Sequence, residues 1–175
     1  MKRYHPVLVG LHWILALAIV VMLIAGNVNL HDVPNTDPDK VFSLRMHMSI
    51  GMAILVLMSV RLVTRLRAQN PPHADIGNDL LNKAGIMAHW GLYVLVFVMC
   101  ASGIAISVMA GLPDIIFGNS GAPLPETFDI YPPRAAHGIA SKLLALLILG
   151  HAAAALYHHF IVKDGLLRRM WFGQR

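Results

Sequence analysis

The sequence predicts an all-α integral membrane protein, a bundle of four transmembrane helices. Of its 175 residues, 57% are hydrophobic and only 13% are charged, whereas about a quarter of an average soluble domain is charged. A helix needs roughly 20 apolar residues to cross a bilayer. Segments at about 7–30, 46–66, 84–112 and 137–162 meet this length. We therefore predict a single membrane domain over 1–175.

The N-terminal segment has the outline of a signal peptide, because Met1-Lys2-Arg3 precedes an apolar stretch. However, the run from Val7 to Leu30 has no ionised side chain and is longer than the apolar region of a signal peptide. We interpret it as an uncleaved first spanning helix. The connectors are polar and rich in proline, and we expect the longest one, 113–136, to cover one end of the bundle.

The distribution of charge predicts the orientation, because Lys and Arg accumulate on the cytoplasmic side of a membrane. With both termini cytoplasmic, the inner side carries ten basic and three acidic residues, and the outer side four basic and six acidic ones. We therefore predict a multi-pass membrane protein with both termini cytoplasmic and an inner-surface tail over 163–175. The basic residues flank apolar segments and form no stripe with aromatics, which favours membrane lipid over nucleic acid as the partner.

Ten histidines carry the chemical signal. An ionisable residue inside a span is costly and usually functional, although a single histidine can also hydrogen-bond to a neighbouring helix. Their arrangement is more specific. His137 and His151 are 14 residues apart, so they lie within about 40° of one helix face and about 21 Å apart in depth. The fourth helix therefore points two imidazoles into the bundle at two levels.

Each of these imidazoles requires a second ligand from another helix if it binds a metal. At the outer level the second helix supplies His47, because the other outer histidine, His31, lies in a polar loop. At the inner level spacing leaves three candidates open, His12, His89 and His158. We favour His12, because it lies deeper in the membrane than His89.

Two imidazoles on opposite sides of a wide planar group are typical of a haem with two histidine ligands. A closed zinc site would need four converging ligands. The chain has one cysteine, Cys100, and no CxxCH motif, so the haems would be held non-covalently as two haems b. Candidates to pair with haem propionates are Arg61, Lys142 and Arg45.

The sequence resembles the prokaryotic cytochrome b561 family, which is related to the cytochrome b subunits of nickel-iron hydrogenases. The resemblance covers essentially the whole chain. It rests on His12-Trp13, Arg45-Met-His47, Val60-Arg61-Leu-Val-Thr-Arg65, His89-Trp-Gly-Leu-Tyr93, Ser102-Gly103 and His151-Ala-Ala-Ala-Ala-Leu-Tyr-His158-His159, followed by Lys163-Asp164 and Leu167-Arg168-Arg169-Met170.

The resemblance implies a ligand set and a function. It assigns His12/His151 to an inner haem and His47/His137 to an outer haem, with His89 as a non-ligand. It implies quinone as the membrane redox partner. The inner-side groups available to a quinone site are His89, His158, His159 and Lys163.

Two functions remain open; the first is an expectation from the resemblance, and the second rests on the acidic outer face, which would suit a basic partner. One is an oxidoreductase like the family's superoxide oxidase, which takes electrons from superoxide and delivers them to ubiquinone. The other is an electron carrier or anchor for a periplasmic redox protein, docked through 113–136. A metal transporter or sensor lined by histidines is a third, weaker interpretation, because the spans lack carboxylates to support it.

Overall fold

Four long helices make up most of the computed structural model, which describes residues 3–30, 33–69, 71–72, 75–118 and 120–171. The helices are α1 (Pro6–Ala25), α2 (Asp39–Arg67), α3 (Asp79–Met109), the short α4 (Leu112–Ile116) and α5 (Pro133–Tyr157). Helices α1, α2, α3 and α5 with its extension to Val162 are long and apolar enough to span a membrane. The predicted all-α fold with four spans is confirmed.

Local sequence explains where two of these helices begin. The Nδ1 atom of His5 accepts a hydrogen bond from the Val7 amide at 3.3 Å, and Pro6 occupies the first helical position, where its missing N–H costs nothing. The side chain of Asn78 accepts hydrogen bonds from the amides of Leu80 and Leu81 at 3.0 and 3.2 Å. These caps satisfy amides that have no partner within the helix.

The helices α2 and α3 begin earlier than hydropathy indicates. α2 starts at Asp39, whereas the apolar stretch begins near residue 46, and α3 starts at Asp79, ahead of residue 84. Hydropathy measures the length that lies in hydrocarbon. A helix can continue beyond the hydrocarbon with polar residues, because its backbone hydrogen bonds are internal. The extra turns bring charged residues such as Lys40 onto the same helix as His47.

Two spanning helices end in π-helical turns. α1 continues as Gly26–Leu30 and α5 as His158–Val162. Such wider turns are rare, and they are frequent at functional sites. The first of these turns lies beside His47, since a Cβ atom on Gly26 would be 3.8 Å from the His47 ring. The second contains two of the histidines predicted for a quinone site.

The bundle packs around a central apolar cluster. Its buried members come from all four spanning helices and are Leu15, Ile54, Met58, Tyr93, Val96 and Leu144. The outer surfaces are also apolar, and Leu17 and Leu146 are 69% and 68% exposed. Apolar side chains facing outward along spanning helices are those that lipid would cover. The core therefore fixes how the helices pack, while the outer faces suit a membrane.

The 113–136 connector packs over one end of the bundle, which we call the connector end. Ile116 is fully buried there against Leu44 and Leu112. Phe128 and Tyr131, from the same connector, pack against this cluster. The expectation that this segment covers one end agrees with these contacts.

The opposite end, which we call the tail end, is crossed by a short 3₁₀ helix, Leu166–Met170. The Trp13 indole donates a hydrogen bond to the Met170 carbonyl at 2.9 Å, and the Tyr4 amide donates to the Arg169 carbonyl at 3.2 Å. The predicted tail over 163–175 thus folds back on α1 as far as it is described. Residues 172–175, and His31 in the outer loop, lie outside the described residues.

Candidate functional site

Four histidines form two facing pairs at the two levels of the bundle. The ring centroids of His47 on α2 and His137 on α5 are 6.2 Å apart, and the rings are inclined by 64°. The centroids of His12 on α1 and His151 on α5 are also 6.2 Å apart, with an inclination of 70°. α5 therefore supplies one ring to each level, as its 14-residue spacing predicts.

The distance within each pair leaves room for one metal ion. An imidazole nitrogen binds a transition-metal ion at about 2 Å, so two rings on opposite sides of one ion have centroids roughly 6 Å apart. Among the residues that the structure describes, no group of three or more His, Cys, Asp or Glu side chains converges as a closed metal site would require. The donor set fits a metal that has two axial imidazoles and takes its other ligands from a macrocycle.

Two cavities adjoin the connector-end pair, and both are lined by His47 and His137. Their volumes are about 560 and 540 Å³, within the range of roughly 300–1,000 Å³ that is usual for cofactor pockets. The first cavity is mostly apolar and includes Met52, Cys100 and Phe117. A flat apolar group of cofactor size would therefore find space on this side of the histidine pair.

The second cavity has more basic than acidic lining residues. Lys40, Arg134 and Lys142 line it together with Asp129, whose carboxylate is 3.7 Å from Arg134 Nε. Lys142 is one of the predicted propionate partners, and the structure brings it to this cavity with two further cations. The Lys40 side chain is buried, and its ammonium donates hydrogen bonds to the carbonyls of Leu30 and Val33. The cavity thus joins a histidine pair to a group of positive charges that suits carboxylates or a small anion.

Arg45, another predicted propionate partner, has a different environment. Its guanidinium donates two hydrogen bonds to the Ile116 carbonyl, with Nε at 3.1 Å and a terminal nitrogen at 2.6 Å. These bonds tie α2 to the buried end of α4. The sequence contains a signal for Lys40 as a further candidate partner of a propionate. Lys40 lies seven residues before His47, and two helical turns return to the same face of the helix.

The two rings of the connector-end pair are held unequally. His137 Nδ1 lies 3.0 Å from the Ser102 hydroxyl, and a Cβ atom on Gly103 would be 3.3 Å from the His137 ring. The Nδ1 atom of His47 is buried and has no hydrogen-bond partner among the described residues. The adjacent Ser102 and Gly103 of α3 therefore contact the His137 ring closely, and the Nδ1 atom of His47 has no comparable hydrogen bond.

A third histidine lies at the tail-end pair. The His89 and His151 ring centroids are 5.1 Å apart, closer than those of His12 and His151. His89 Nδ1 lies 2.7 Å from the Gly85 carbonyl. Two of the three inner candidates therefore flank His151.

Arg61 also belongs to the tail-end site. Its guanidinium donates a hydrogen bond to the Leu8 carbonyl on α1. Its charge acts on both His12 and His151. This agrees with the predicted position of Arg61 at the inner level. In the structure the hydrogen-bond partner of its guanidinium is the backbone carbonyl of Leu8.

The remaining quinone-site candidates lie together where α5 ends. His158 Nδ1 is 2.6 Å from a carboxylate oxygen of Asp164, and His159 packs against Phe160. Lys163 has a left-handed backbone conformation with φ of 56°. Although partial burial opposes the shift, hydrogen bonds from the Leu166 amide and from His158 hold the pKa of Asp164 below its ordinary value.

The paired imidazoles and the four spanning helices fit a membrane cytochrome of the b type. A model of the family described as prokaryotic cytochrome b561 matches residues 3–173. The chain therefore belongs to this family, and the resemblance found in the sequence is confirmed. Membership identifies the chain as a bacterial membrane protein of electron transport whose cofactor is b-type haem.

Three relatives match along nearly their whole length. The probable superoxide oxidase CybB of Yersinia pestis is 29% identical over 97% of this chain and 96% of its own. Cytochrome b561 homolog 1 of Escherichia coli is 27% identical over 97% of each chain. Cytochrome b562 of Cereibacter sphaeroides is 29% identical over 95% of this chain and 94% of its own.

Proposed function

We propose that the chain carries two b-type haems and transfers electrons through the bacterial inner membrane, from a donor at the connector end to ubiquinone. The observation that carries this proposal is the presence of two histidine pairs at two levels, each with ring centroids 6.2 Å apart. His47 and His137 are the proposed ligands of one haem, and His12 and His151 those of the other. When bound, haem supplies one-electron redox chemistry.

The protein residues hold, orient and neutralise the cofactors. The four ligands lie on long helices, so their positions are fixed by helix packing rather than by mobile loops. At the connector end, Lys142 is the proposed partner of a propionate, assisted by Lys40 and Arg134 in the same cavity. At the tail end, Arg61 has this role. Arg45 contributes by fastening the connector to α2.

Superoxide is the proposed donor. The Yersinia pestis relative is named a probable superoxide oxidase. An anion is attracted by positive potential, and a charged cleft can raise its association rate by about tenfold or more. The outer connectors sum to four basic and six acidic residues, but the cavity beside His47 is lined by three basic residues, Lys40, Arg134 and Lys142, and one acidic residue, Asp129. Local charge, rather than the sum over the outer side, would act on so small an anion.

Ubiquinone is the proposed acceptor, reduced at the tail end. A quinone requires hydrogen-bond donors and a source of protons as it is reduced, and imidazoles can supply both. His89 is 5.1 Å from His151 between ring centroids, and His158, His159 and Lys163 lie at the end of α5. With the tail end cytoplasmic, as the excess of basic residues favours, protons would be taken from the cytoplasmic side.

The test is a reaction of the purified, oxidised protein with a superoxide source. The visible spectrum must first show a Soret band that changes on reduction, since otherwise every haem assignment fails. We expect superoxide to reduce the haems, added superoxide dismutase to suppress this reduction, and a short-chain ubiquinone to reoxidise them. If dismutase has no effect on the rate, superoxide is not the donor, and transfer from a docked periplasmic redox protein becomes the favoured function.

A further inference from the structure

Ser102 on α3 lies between a backbone carbonyl and a proposed haem ligand. Its hydroxyl oxygen is 2.7 Å from the Val98 carbonyl, 3.1 Å from the Met99 carbonyl and 3.0 Å from His137 Nδ1. Ser102 is buried, so water does not replace these contacts easily. The residue therefore belongs to an internal chain of hydrogen bonds.

The direction of these hydrogen bonds follows from the proposed role of His137, because a ring that binds a metal through Nε2 carries its proton on Nδ1. A hydroxyl has one proton to donate, and a carbonyl oxygen can only accept. The Ser102 hydroxyl then donates to Val98, the nearer carbonyl, and its oxygen accepts a hydrogen bond from His137 Nδ1, beside which the Met99 carbonyl is a second acceptor. In this tautomer Nε2 of His137 is unprotonated and free to bind a metal.

The opposite ring has no such support. His47 Nδ1 is buried without a partner among the described residues. On the His137 side, Gly103 also approaches closely, because a Cβ atom there would be 3.3 Å from the ring. Ser102 and Gly103 thus fix the position of His137, whereas the Nδ1 atom of His47 receives no comparable bond.

We propose that Ser102 is a positioning residue that sets the tautomer and the donor strength of His137, and thereby lowers the reduction potential of the connector-end haem. A ligating imidazole that donates its second N–H to an acceptor is more basic and binds its metal more tightly. Stronger donation favours the oxidised state. The inference rests on the proposed assignment of His137 as a ligand.

The experiment compares haem content and midpoint potentials of the complete protein in an optical redox titration. Ser102→Ala removes the hydroxyl acceptor and leaves the Met99 carbonyl in place, and Ser102→Thr retains a hydroxyl at the same position. Ser59→Ala is the matched control, because the Ser59 hydroxyl donates to the Leu55 carbonyl four residues earlier, as Ser102 does to Val98. His137→Ala identifies which component of the titration belongs to the connector-end haem.

We expect Ser102→Ala to keep both haems and to raise the potential of the component that His137→Ala abolishes. Loss of a metal-ligand hydrogen bond typically changes affinity by about tenfold or more. If the oxidised state alone loses tenfold, the one-electron potential rises by about 59 mV. Ser102→Thr and Ser59→Ala should leave both potentials near their original values.

The proposal is overturned if Ser102→Ala leaves that component unchanged, lowers its potential, or causes the same shift as Ser59→Ala. Loss of the haem in Ser102→Ala but not in Ser102→Thr would still support a role of the hydroxyl. Loss in both variants would indicate packing alone and would reject the proposal. If His137→Ala retains both haems, the ligand assignment itself is wrong, which is a different result from a failure of Ser102.

Discussion

The two histidine pairs have the same ring spacing and very different surroundings. At the connector end, His47 and His137 adjoin two cavities, one of which is lined by Lys40, Arg134 and Lys142. At the tail end, His12 and His151 have a third ring, His89, within 5.1 Å of His151. The tail of the chain also folds over this end.

This difference agrees with the division of roles that we propose within one chain. If each pair holds a haem as we propose, the ligands of the two sites are the same, and a difference in potential or partner must come from neighbouring charges, hydrogen bonds and access. The connector end offers positive charge and open volume, which suit an anionic donor. The tail end offers imidazoles that can carry protons, which suit an acceptor that takes up protons with its electrons.

The largest expected effect tests whether the two sites are independent. We predict that His47→Ala or His137→Ala removes one haem and leaves the other, because each pair closes its own site. His12→Ala and His151→Ala should remove the second haem instead. The measurement is the ratio of haem to protein with the reduced-minus-oxidised spectrum.

His89→Ala is the matched control for this experiment, since it removes a ring at the tail end without removing a proposed ligand. It should retain both haems. Loss of both haems from His47→Ala, or loss of one from His89→Ala, would contradict the proposed pairing.

A smaller effect is expected where the backbone approaches a ligand. We predict that Gly103→Ala weakens the connector-end haem, because the added Cβ would lie 3.3 Å from His137 and the ring must move by a few tenths of an ångström. A loss of about tenfold in haem affinity is the expected scale for such a displaced ligand. Haem release to apomyoglobin measures it.

Gly85→Ala on the same helix provides the control for Gly103→Ala. A Cβ atom on Gly85 meets nothing within 4 Å, so both haems should remain bound as in the unaltered protein. If Gly103→Ala releases the tail-end haem equally, the two sites are coupled through helix packing and the comparison between them fails.

The next prediction concerns the charge at the connector end. We expect Lys142→Ala to slow reduction by superoxide by about tenfold or less and to weaken the dependence of the rate on salt, since one of three cations at the cavity is lost. Stopped-flow absorbance at several ionic strengths measures both. Lys83→Ala, an exposed cation at the start of α3, is the control and should leave the rate unchanged.

Hydropathy and histidine spacing predict the four spans and the placement of His137 and His151 on one helix. Both signals depend on the regular geometry of a helix, which holds over many residues. The start of α2 at Asp39 is less predictable, because hydropathy reports only the hydrocarbon crossing. The early start is what brings Lys40 to the cavity beside His47.

Contacts between helices explain what sequence spacing does not predict. Ser102 and His137 are 35 residues apart in the chain and 3.0 Å apart in space, and only helix packing determines that they meet. His12 and His89 both flank His151. Sequence spacing therefore does not select one of them as the partner of His151, because both rings do lie beside it. The contact of Arg45 with the Ile116 carbonyl likewise depends on helix packing, because residues two positions apart on a helix, such as Arg45 and His47, do not face each other.

The smallest expected effect concerns the tail end and its dependence on pH. The pKa of Asp164 is held low because, despite partial burial, its carboxylate accepts hydrogen bonds from the Leu166 amide and His158. The resulting stabilisation of the tail is complete above the ordinary pKa of an aspartate, about 3.9. It is lost only as the pH falls through the lower folded value.

We therefore predict that the tail stays docked from pH 8 down to about pH 4 and loosens below it, whereas Asp164→Asn loosens it throughout that range. Hydrogen exchange of the amides in residues 164–171, corrected for the intrinsic effect of pH, measures docking. Asp75→Asn, at the same end but in another segment, is the control. If the tail of Asp164→Asn exchanges no faster at neutral pH, the bond from His158 does not hold it, and the tail is retained by contacts such as that of Trp13 with Met170.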